Sequence, residues 1–266
     1  MKKIFKTLLI TFTLSAIVVC QDKVGTTIFR WAEIETGARA IGMGGSQVAS
    51  GNGVYSIPYN PANLGFVENT ELYISTSQYL AGTSHNTLAF GQSFNGSDFI
   101  GVHLYYFNSG EMDETIEQAN DGQGGPTGEQ FNYLGLVLRT SYARQITERL
   151  KLGGTFKLIR ESTGKDLSMS SYGFDIGSNF DTGIYGMILG MCISNFGPEG
   201  RYSGNGLDTE DGTQKKTGYY PMPITFRVGI MNNLIGPEGT VLSNGTHSLI
   251  FSMDVINPLD YKLTSS

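Results

Sequence analysis

The sequence predicts an all-β protein, a transmembrane antiparallel β-barrel, and three observations lead to this prediction. Segments of about ten residues alternate between apolar side chains and small or polar ones, which is the period of a strand with two different faces. The chain holds 36 glycines and 11% aromatic residues but only 16% charged ones, a composition that suits a surface largely in contact with lipid. Its N-terminal residues have the features of an export signal.

Residues 1–20 are predicted to be a signal peptide. Three lysines lie among the first six residues, and an uncharged, mostly apolar run extends from Thr7 to Cys20. This run is too short for a membrane-spanning helix and has the length of a signal sequence. We expect cleavage after Cys20, which leaves Gln21 first, with lipidation of Cys20 as the alternative.

Charge and cysteine content exclude several classes of protein. Removal of residues 1–20 takes away three lysines and no acid, so 18 basic side chains fall to 15 against 24 acidic ones. This excess of acid argues against binding to nucleic acid, which requires a basic face. Cys192 is then the single cysteine of the sequence, so an intramolecular disulfide is excluded.

Period-2 alternation returns along the chain and predicts roughly ten or eleven strands. The expected strands lie near residues 71–79, 85–94, 98–107, 133–144, 151–160, 171–180, 184–194, 222–231 and 247–255. A polar segment around 110–118 is a further candidate, and Leu259–Ser266 is the possible beginning of another strand. Long polar connections are expected at 119–130 and 197–218, and short glycine-containing turns at 95–97 and 181–183.

The two faces of these strands favour a barrel over a sandwich. In the segment 133–144, Leu134, Leu136 and Leu138 share one face, while Gly135 and Arg139 lie on the other. The polar face of a soluble sandwich usually carries Lys, Glu and Thr, whereas here glycine, serine and asparagine dominate. Such small side chains suit a crowded lumen, with the apolar face turned to lipid. A soluble exported β-sandwich is the alternative.

Several blocks of the sequence resemble one family of outer-membrane proteins. The segment "ETGARAIGMGGSQVAS…YNPANLG" (35–65) is similar to the N-terminal signature of the PorV/PorQ family, a branch of the FadL-like outer-membrane β-barrels. The blocks Asp175–Gly204, Tyr219–Ile230 and Ser252–Lys262 resemble family blocks in the same order. The resemblance covers nearly the whole chain after the leader.

The resemblance implies a barrel of about fourteen strands with an N-terminal plug. FadL-like proteins fold their N-terminal segment into the lumen, with an Asn-Pro-Ala triplet in that plug. We therefore expect a plug in residues 21–69 and a barrel in 70–266, either without its last strands or as a smaller closed barrel of ten or twelve strands. The alternative for 21–69 is an ordinary periplasmic arm. The implied plug residues are Gly37, Gly42, Gly44, Gly45, Asn60, Pro61 and Ala62.

Five charged residues are expected to face the lumen. They are Arg139, Lys157, Asp175, Arg227 and Asp254. They could line a polar conduit or hold the plug, but such residues more often pair with each other and fill a narrow barrel.

No residues with the spacing of a catalytic or cofactor site are found. His85, His103 and His247 are widely separated and do not form a metal-binding set. Trp31 is expected either at a membrane interface or in the packing of the arm against the barrel. We predict a protein that is not an enzyme and needs no metal or cofactor.

The resemblance implies a component of type IX-like protein secretion that receives secreted cargo and hands it over at the outer membrane. The expected partners are outer-membrane lipid, secretion-system proteins and cargo. A FadL-like channel for hydrophobic small molecules is an alternative function, with a hydrophobic ligand as its partner. A soluble exported β-sandwich that acts in adhesion or sugar binding is a third.

Overall fold

The computed structural model describes residues 27–117, 124–164, 167–204, 217–237, 239–243 and 245–259. The predicted signal peptide and most of the segment Leu259–Ser266 lie outside these residues. Within them, twelve strands are formed: β1 (Thr70–Gln78), β2 (Ser84–Ser93), β3 (Asp98–Asn108), β4 (Met112–Glu117), β5 (Gly124–Phe131), β6 (Tyr133–Gln145), β7 (Leu150–Thr163), β8 (Leu167–Asp181), β9 (Met187–Phe196), β10 (Thr225–Gly236), β11 (Leu242–Ser243) and β12 (Leu249–Pro258).

One antiparallel sheet holds nine of these strands in the order β1-β2-β3-β6-β7-β8-β9-β10-β12. The short strand β11 lies parallel to the end of β10. β4 and β5 form a separate two-stranded hairpin inserted between β3 and β6. Among the described residues no pairing joins β1 to β12, so the sheet is not closed.

The apolar face of the sheet points outward. In β6, exposed and buried side chains alternate along the strand, and Leu136 on the outer face is 41% exposed. On β7 and β8, the rings of Phe156 and Phe174 lie side by side on the same outer face, 5.3 Å apart. Phe174 is 44% exposed. In a sandwich these side chains would meet between two sheets, so the β-sandwich alternative is wrong.

The connections fall on two different rims. Short turns at 94–97, 146–149 and 182–186 lie on one rim, because each joins neighbouring antiparallel strands at the same end. β3 ends at Asn108 and β9 ends at Phe196 on the opposite rim, here called the long-loop rim, and β6 and β10 begin there. In the first short turn, Asn95 Oδ1 accepts hydrogen bonds from the backbone N–H groups of Ser97 (3.0 Å) and Asp98 (2.7 Å). This side-chain turn fixes the β2–β3 hairpin.

Two strands begin later than expected, and the backbone conformation or hydrogen-bonding capacity of the residues before them explains the difference. β9 begins at Met187 and not at 184, because Tyr185 (φ 49°) and Gly186 (φ 60°) adopt the left-handed conformation of a turn. β10 begins at Thr225 and not at 222, and Pro223 in the intervening segment has no N–H to donate to a ladder.

The expected polar connection at 119–130 is in part a strand. Residues Gly124–Phe131 form β5 and pair with β4, the strand that was only a candidate from the sequence. The sequence of β5, "GGPTGEQF", has no apolar alternation, because the hairpin has no buried face to provide one. The alternation of apolar and polar residues therefore does not predict strand β5.

The space inside the sheet is filled by residues 27–67, which we call the plug. It contains one α-helical turn, α1 (Ala38–Gly42), and the 3-10 turns Arg30–Glu33, Val54–Ser56 and Pro61–Phe66; a further 3-10 turn, Leu80–Gly82, joins β1 to β2. No helix among the described residues is long and apolar enough to cross a membrane.

The core consists of contacts between the plug and the inner face of the sheet. One cluster packs Val54, Ile57 and Leu64 of the plug against Ala89 and Phe99 of the wall. A second cluster packs Ile28, Phe29 and Trp31 against wall residues that include Tyr105, Phe107, Val137 and Ile159. The first cluster lies towards the short-turn rim and the second towards the long-loop rim.

Candidate functional site

Asn60 ties the plug to itself and to the wall. Its Oδ1 accepts a hydrogen bond from the backbone N–H of Ala62 (3.0 Å) and caps the 3-10 turn that Pro61 begins. Its Nδ2 donates to the backbone carbonyls of Val48 (2.8 Å), in the plug, and of Ser178 (2.9 Å), in β8. The Asn-Pro-Ala triplet is fully buried, so these bonds are shielded from water.

Glycines on neighbouring strands let the plug backbone approach the sheet. A Cβ on Gly153 of β7 would overlap the backbone of Pro61 and Ala62, and one on Gly190 of β9 would overlap the backbone of Val48. On β8 between them, a Cβ on Gly177 would overlap the Asn60 side chain. The absence of side chains at these inner positions creates the space in which the triplet lies.

Gly42, which ends α1, and Gly44 and Gly45, which follow it, belong to the turn after the helix and make no close contact with the described part of the wall. Gly44 (φ 62°) and Gly45 (φ 78°) are left-handed, and the Gly45 N–H donates to the Ala40 carbonyl (2.8 Å), which ends the helix. Gly42 and Gly44 have open space where a Cβ would stand, whereas Gly45 packs against the Glu35 carboxylate. Before the helix, Gly37 is also left-handed (φ 91°).

Asp254 binds the plug directly. Its Oδ2 accepts hydrogen bonds from the backbone N–H groups of Gln47 (2.8 Å) and Val48 (2.9 Å), and its Oδ1 accepts one from the Ser46 hydroxyl (3.2 Å). This carboxylate on β12 thus satisfies two plug amides that precede the triplet. Of the five charged residues predicted to face the lumen, Asp254 makes the most hydrogen bonds to the plug.

Lys157 and Asp175 pair with each other. Lys157 Nζ lies 2.6 Å from Asp175 Oδ1, and both side chains are 2% exposed. Asp175 also accepts a hydrogen bond from the Asn195 N–H (2.7 Å), and Lys157 donates to the Asn195 side chain. These partners satisfy the pair within the wall, as a buried ion pair requires.

Arg139 and Arg227 face a space between wall and plug. Arg139 is 5% exposed, and its Nη1 lies 3.2 Å from His103 Nδ1 on β3. The Arg227 guanidinium lies 5.9 Å from the centre of the Tyr59 ring in the plug. Glu35 and Tyr59 line the plug side of this space.

A larger cavity opens at the long-loop rim. It has a volume of about 580 Å³ and lies between the start of the plug, the ends of β3, β6 and β7, and the connection from β9 to β10. Half of its twelve lining residues are aromatic: Phe29, Trp31, Phe107, Tyr133, Tyr202 and Tyr220. Trp31 stacks on Phe107 with ring centres 5.8 Å apart, so it packs the arm against the barrel.

Glu161 holds three of these aromatic side chains in place. Its Oε2 accepts hydrogen bonds from Trp31 Nε1 (2.6 Å) and from the Tyr133 hydroxyl, and its Oε1 accepts one from the Tyr202 hydroxyl. Glu161 is not among the site residues predicted from the sequence. Glu161 lies four residues after Lys157 on β7, and this spacing places both side chains on the inner face of the strand. The spacing could therefore have identified Glu161 as a residue that faces the lumen.

Within the described residues, no three His, Cys, Asp or Glu side chains come together as a group that could hold a metal ion. The charged and aromatic groups described above contact one another within the wall or join the wall to the plug. The arrangement can hold a plug in a lumen and can offer an aromatic cavity to a ligand at one end.

No protein-family model and no curated protein matches the sequence. Solved structures do match. Two crystal structures of the Pseudomonas putida toluene transporter TodX are similar at TM-scores of 0.53 and 0.52, with 12% and 11% identity, over 82% of this chain and 68% of that chain. The CymD monoaromatic hydrocarbon channel is similar at a TM-score of 0.47 and 11% identity, over 81% of this chain and 67% of that chain.

At this level of identity the likeness to TodX shows the fold alone. TodX is a FadL-family channel, and the predicted FadL-like, all-β barrel fold is therefore confirmed, with a sheet that is not closed among the described residues. The narrower assignment to the PorV/PorQ branch stays a prediction. This chain has the fold of the FadL-like barrel channels.

Proposed function

We propose that this protein is an outer-membrane barrel that admits hydrophobic small molecules through the aromatic cavity at its long-loop rim. The cavity is the observation that carries this proposal. Its volume lies within the range of about 300–1,000 Å³ that is usual for small-ligand sites. Six aromatic rings line it, and such rings favour apolar and aromatic ligands.

Among the described residues, the one carboxylate that lines the cavity is that of Glu161, and its contacts support an apolar ligand. Both Glu161 oxygens already accept hydrogen bonds from Trp31, Tyr133 and Tyr202. The carboxylate is therefore satisfied by its own wall and does not require a polar partner in the ligand. Hydrophobic contact with the rings is then the main source of affinity.

The outer face of the sheet supports a location in the outer membrane. Large apolar side chains stand exposed along β6, β7 and β8, among them Leu138, Phe156 and Ile176. Soluble monomers rarely expose contiguous apolar patches larger than a few hundred Å², and acyl chains would cover this one. The predicted signal peptide supports export.

TodX, which has a similar fold, is a toluene transporter, and this supports a hydrophobic ligand and a non-enzymatic role.

The single tryptophan of the chain makes the proposal directly testable. Trp31 lies in the wall of the cavity, so its fluorescence reports on the site without a label. We expect toluene to change the emission of the folded protein in detergent micelles in a saturable way. The Phe107→Ala variant should bind about fivefold more weakly, because one ring contact is worth roughly 1 kcal/mol.

The matched control is Phe156→Ala, which removes an equal ring from the outer face and should leave the affinity unchanged. A linear response to toluene that is the same in all three proteins would mean partitioning into the micelle, and the proposed ligand site would be rejected.

The secretion function rests on the sequence resemblance alone. The blocks Asp175–Gly204, Tyr219–Ile230 and Ser252–Lys262 support it, and neither the cavity nor the similar structures add to that support. Partnership with secretion-system proteins and cargo stays a prediction. Co-purification of the protein with exported cargo, compared with the toluene titration, would distinguish the two functions.

A further inference from the structure

A small polar cavity lies between plug and wall, midway between the two rims. It has a volume of about 30 Å³, room for one water molecule or one small ion. Its polar lining comes from Glu33, Glu35 and Tyr59 of the plug and, on the wall, from His103 of β3, Tyr105 of β3, Arg139 of β6 and Arg227 of β10. It is separate from the aromatic cavity in which we placed the ligand.

Three hydrogen-bond donors at this cavity have no partner among the residues that the structure describes. They are Arg139 Nε, Arg227 Nε and His103 Nε2, all buried. The His103 ring accepts at Nδ1 from Arg139 Nη1, so the neutral ring carries its proton on Nε2. All three orphaned groups are therefore N–H donors, and unpaired buried donors are rare in folded proteins.

The positive charges of the two arginines are compensated only at longer range, by Asp175 for Arg139 and by Glu35 and Asp254 for Arg227. In the part of the chain that the structure describes, neither guanidinium has a carboxylate within ion-pairing distance. Arg139 is almost completely buried, where an unpaired charge is costly. Arg227 contacts the Tyr59 ring, which offsets only part of that cost.

The two acids that line the cavity contact other groups. Glu33 pairs with Arg30 (3.1 Å) and accepts a hydrogen bond from the Thr225 hydroxyl (3.3 Å). The Glu35 carboxylate is turned towards Gly45. Burial raises the pKa of the Glu35 carboxyl, and Asp254 adds to this rise while Arg227 opposes it, so the carboxyl holds its negative charge less firmly.

We propose that this cavity binds one small monovalent anion of chloride size between Arg139 and Arg227. Water would satisfy the N–H donors but would not compensate the charge, whereas an anion does both. The His103 Nε2–H donates to the same ion. Because its lining comes from both the plug and the wall, the bound anion fastens one to the other.

Two experiments on the full chain in detergent test the site. Crystals grown with bromide in place of chloride should show an anomalous peak beside Arg139. Thermal unfolding should show a higher Tm in sodium chloride than in sodium gluconate of equal ionic strength, since gluconate is too large for the cavity. Near saturation, each tenfold increase in chloride should raise Tm by about 3 °C.

Variants of the two arginines distinguish binding of chloride at this site from a general effect of salt on Tm. Arg139→Gln and Arg227→Gln should each remove the chloride dependence of Tm. The matched control Arg144→Gln changes an exposed arginine on the same strand as Arg139 and should retain it. Equal Tm values in both salts, or an empty cavity in the bromide crystal, would overturn the proposal. The bromide crystal needs only the unaltered protein, so it decides the question even if the variants do not fold.

Discussion

At the scale of single residues, Asn60 shows how one side chain can join separate segments. It caps the 3-10 turn of its own triplet and donates to carbonyls of Val48 and Ser178. Aspartate could cap the turn but has no N–H to donate, and alanine could do neither. This double requirement explains why an asparagine stands at this position.

Asn60→Ala should therefore destabilise the protein. The change leaves two buried carbonyls with one partner fewer and removes the cap, at a cost of about 2–3 kcal/mol in the free energy of unfolding. Urea unfolding in lipid vesicles measures it. Asn52→Ala, at an exposed plug position, is the control and should cost less than about 0.5 kcal/mol. Equal losses in both variants would contradict the anchoring role.

The five charged residues that were predicted to face the lumen make three different kinds of contact. Asp254 holds plug amides, Lys157 and Asp175 satisfy each other, and the two arginines face the polar cavity. The sequence pattern placed all five on one face but gave no indication of these separate uses. Whether a charged side chain pairs within the wall or meets the plug depends on the register between strands far apart in the chain.

At the scale of elements, strands β7, β8 and β9 form the surface on which the triplet rests. Gly153, Gly177 and Gly190 leave a depression on the inner face, and the plug backbone fills it. A glycine in the interior of a strand lowers the stability of the sheet. Here the glycines are required because another backbone approaches the strands closely.

Gly153→Ala should loosen the plug without disrupting the sheet. The added methyl group would overlap the Pro61 and Ala62 backbone, at a cost of about 1–3 kcal/mol of overpacking. Hydrogen exchange of the plug amides should become faster in this variant. The neighbouring Gly154→Ala is the control, because its Cβ would meet only the Asp175 carbonyl at 3.8 Å, and it should exchange like the unaltered protein.

At the scale of the whole molecule, the two faces of the sheet have the opposite orientation to those of a soluble protein. Large apolar side chains face outward, and the core lies between the inner side chains of the sheet and the plug. In the proposed location the outer face contacts lipid, while the plug buries the inner face.

Leu138→Lys tests this arrangement. Leu138 stands on the outer face near the middle of β6, so a charge there should destabilise folding into vesicles by about 2–4 kcal/mol. Ile146→Lys, in a short turn at the rim, should cost only about 0–1 kcal/mol. A similar cost at both depths would argue that the outer face does not contact acyl chains.

The sequence by itself determined the fold class, most strand positions and which face of each strand is apolar. These follow from the alternation of side chains along a strand, which is a local property of the chain. Only the tertiary structure decided the β4–β5 hairpin, the start of β9 and the two cavities. The aromatic cavity joins residues near positions 31, 107, 161 and 202, and the polar cavity joins Glu35, His103, Arg139 and Arg227. Such groups meet because strand register and the path of the plug bring distant segments together, and neither is encoded in the period of any one segment.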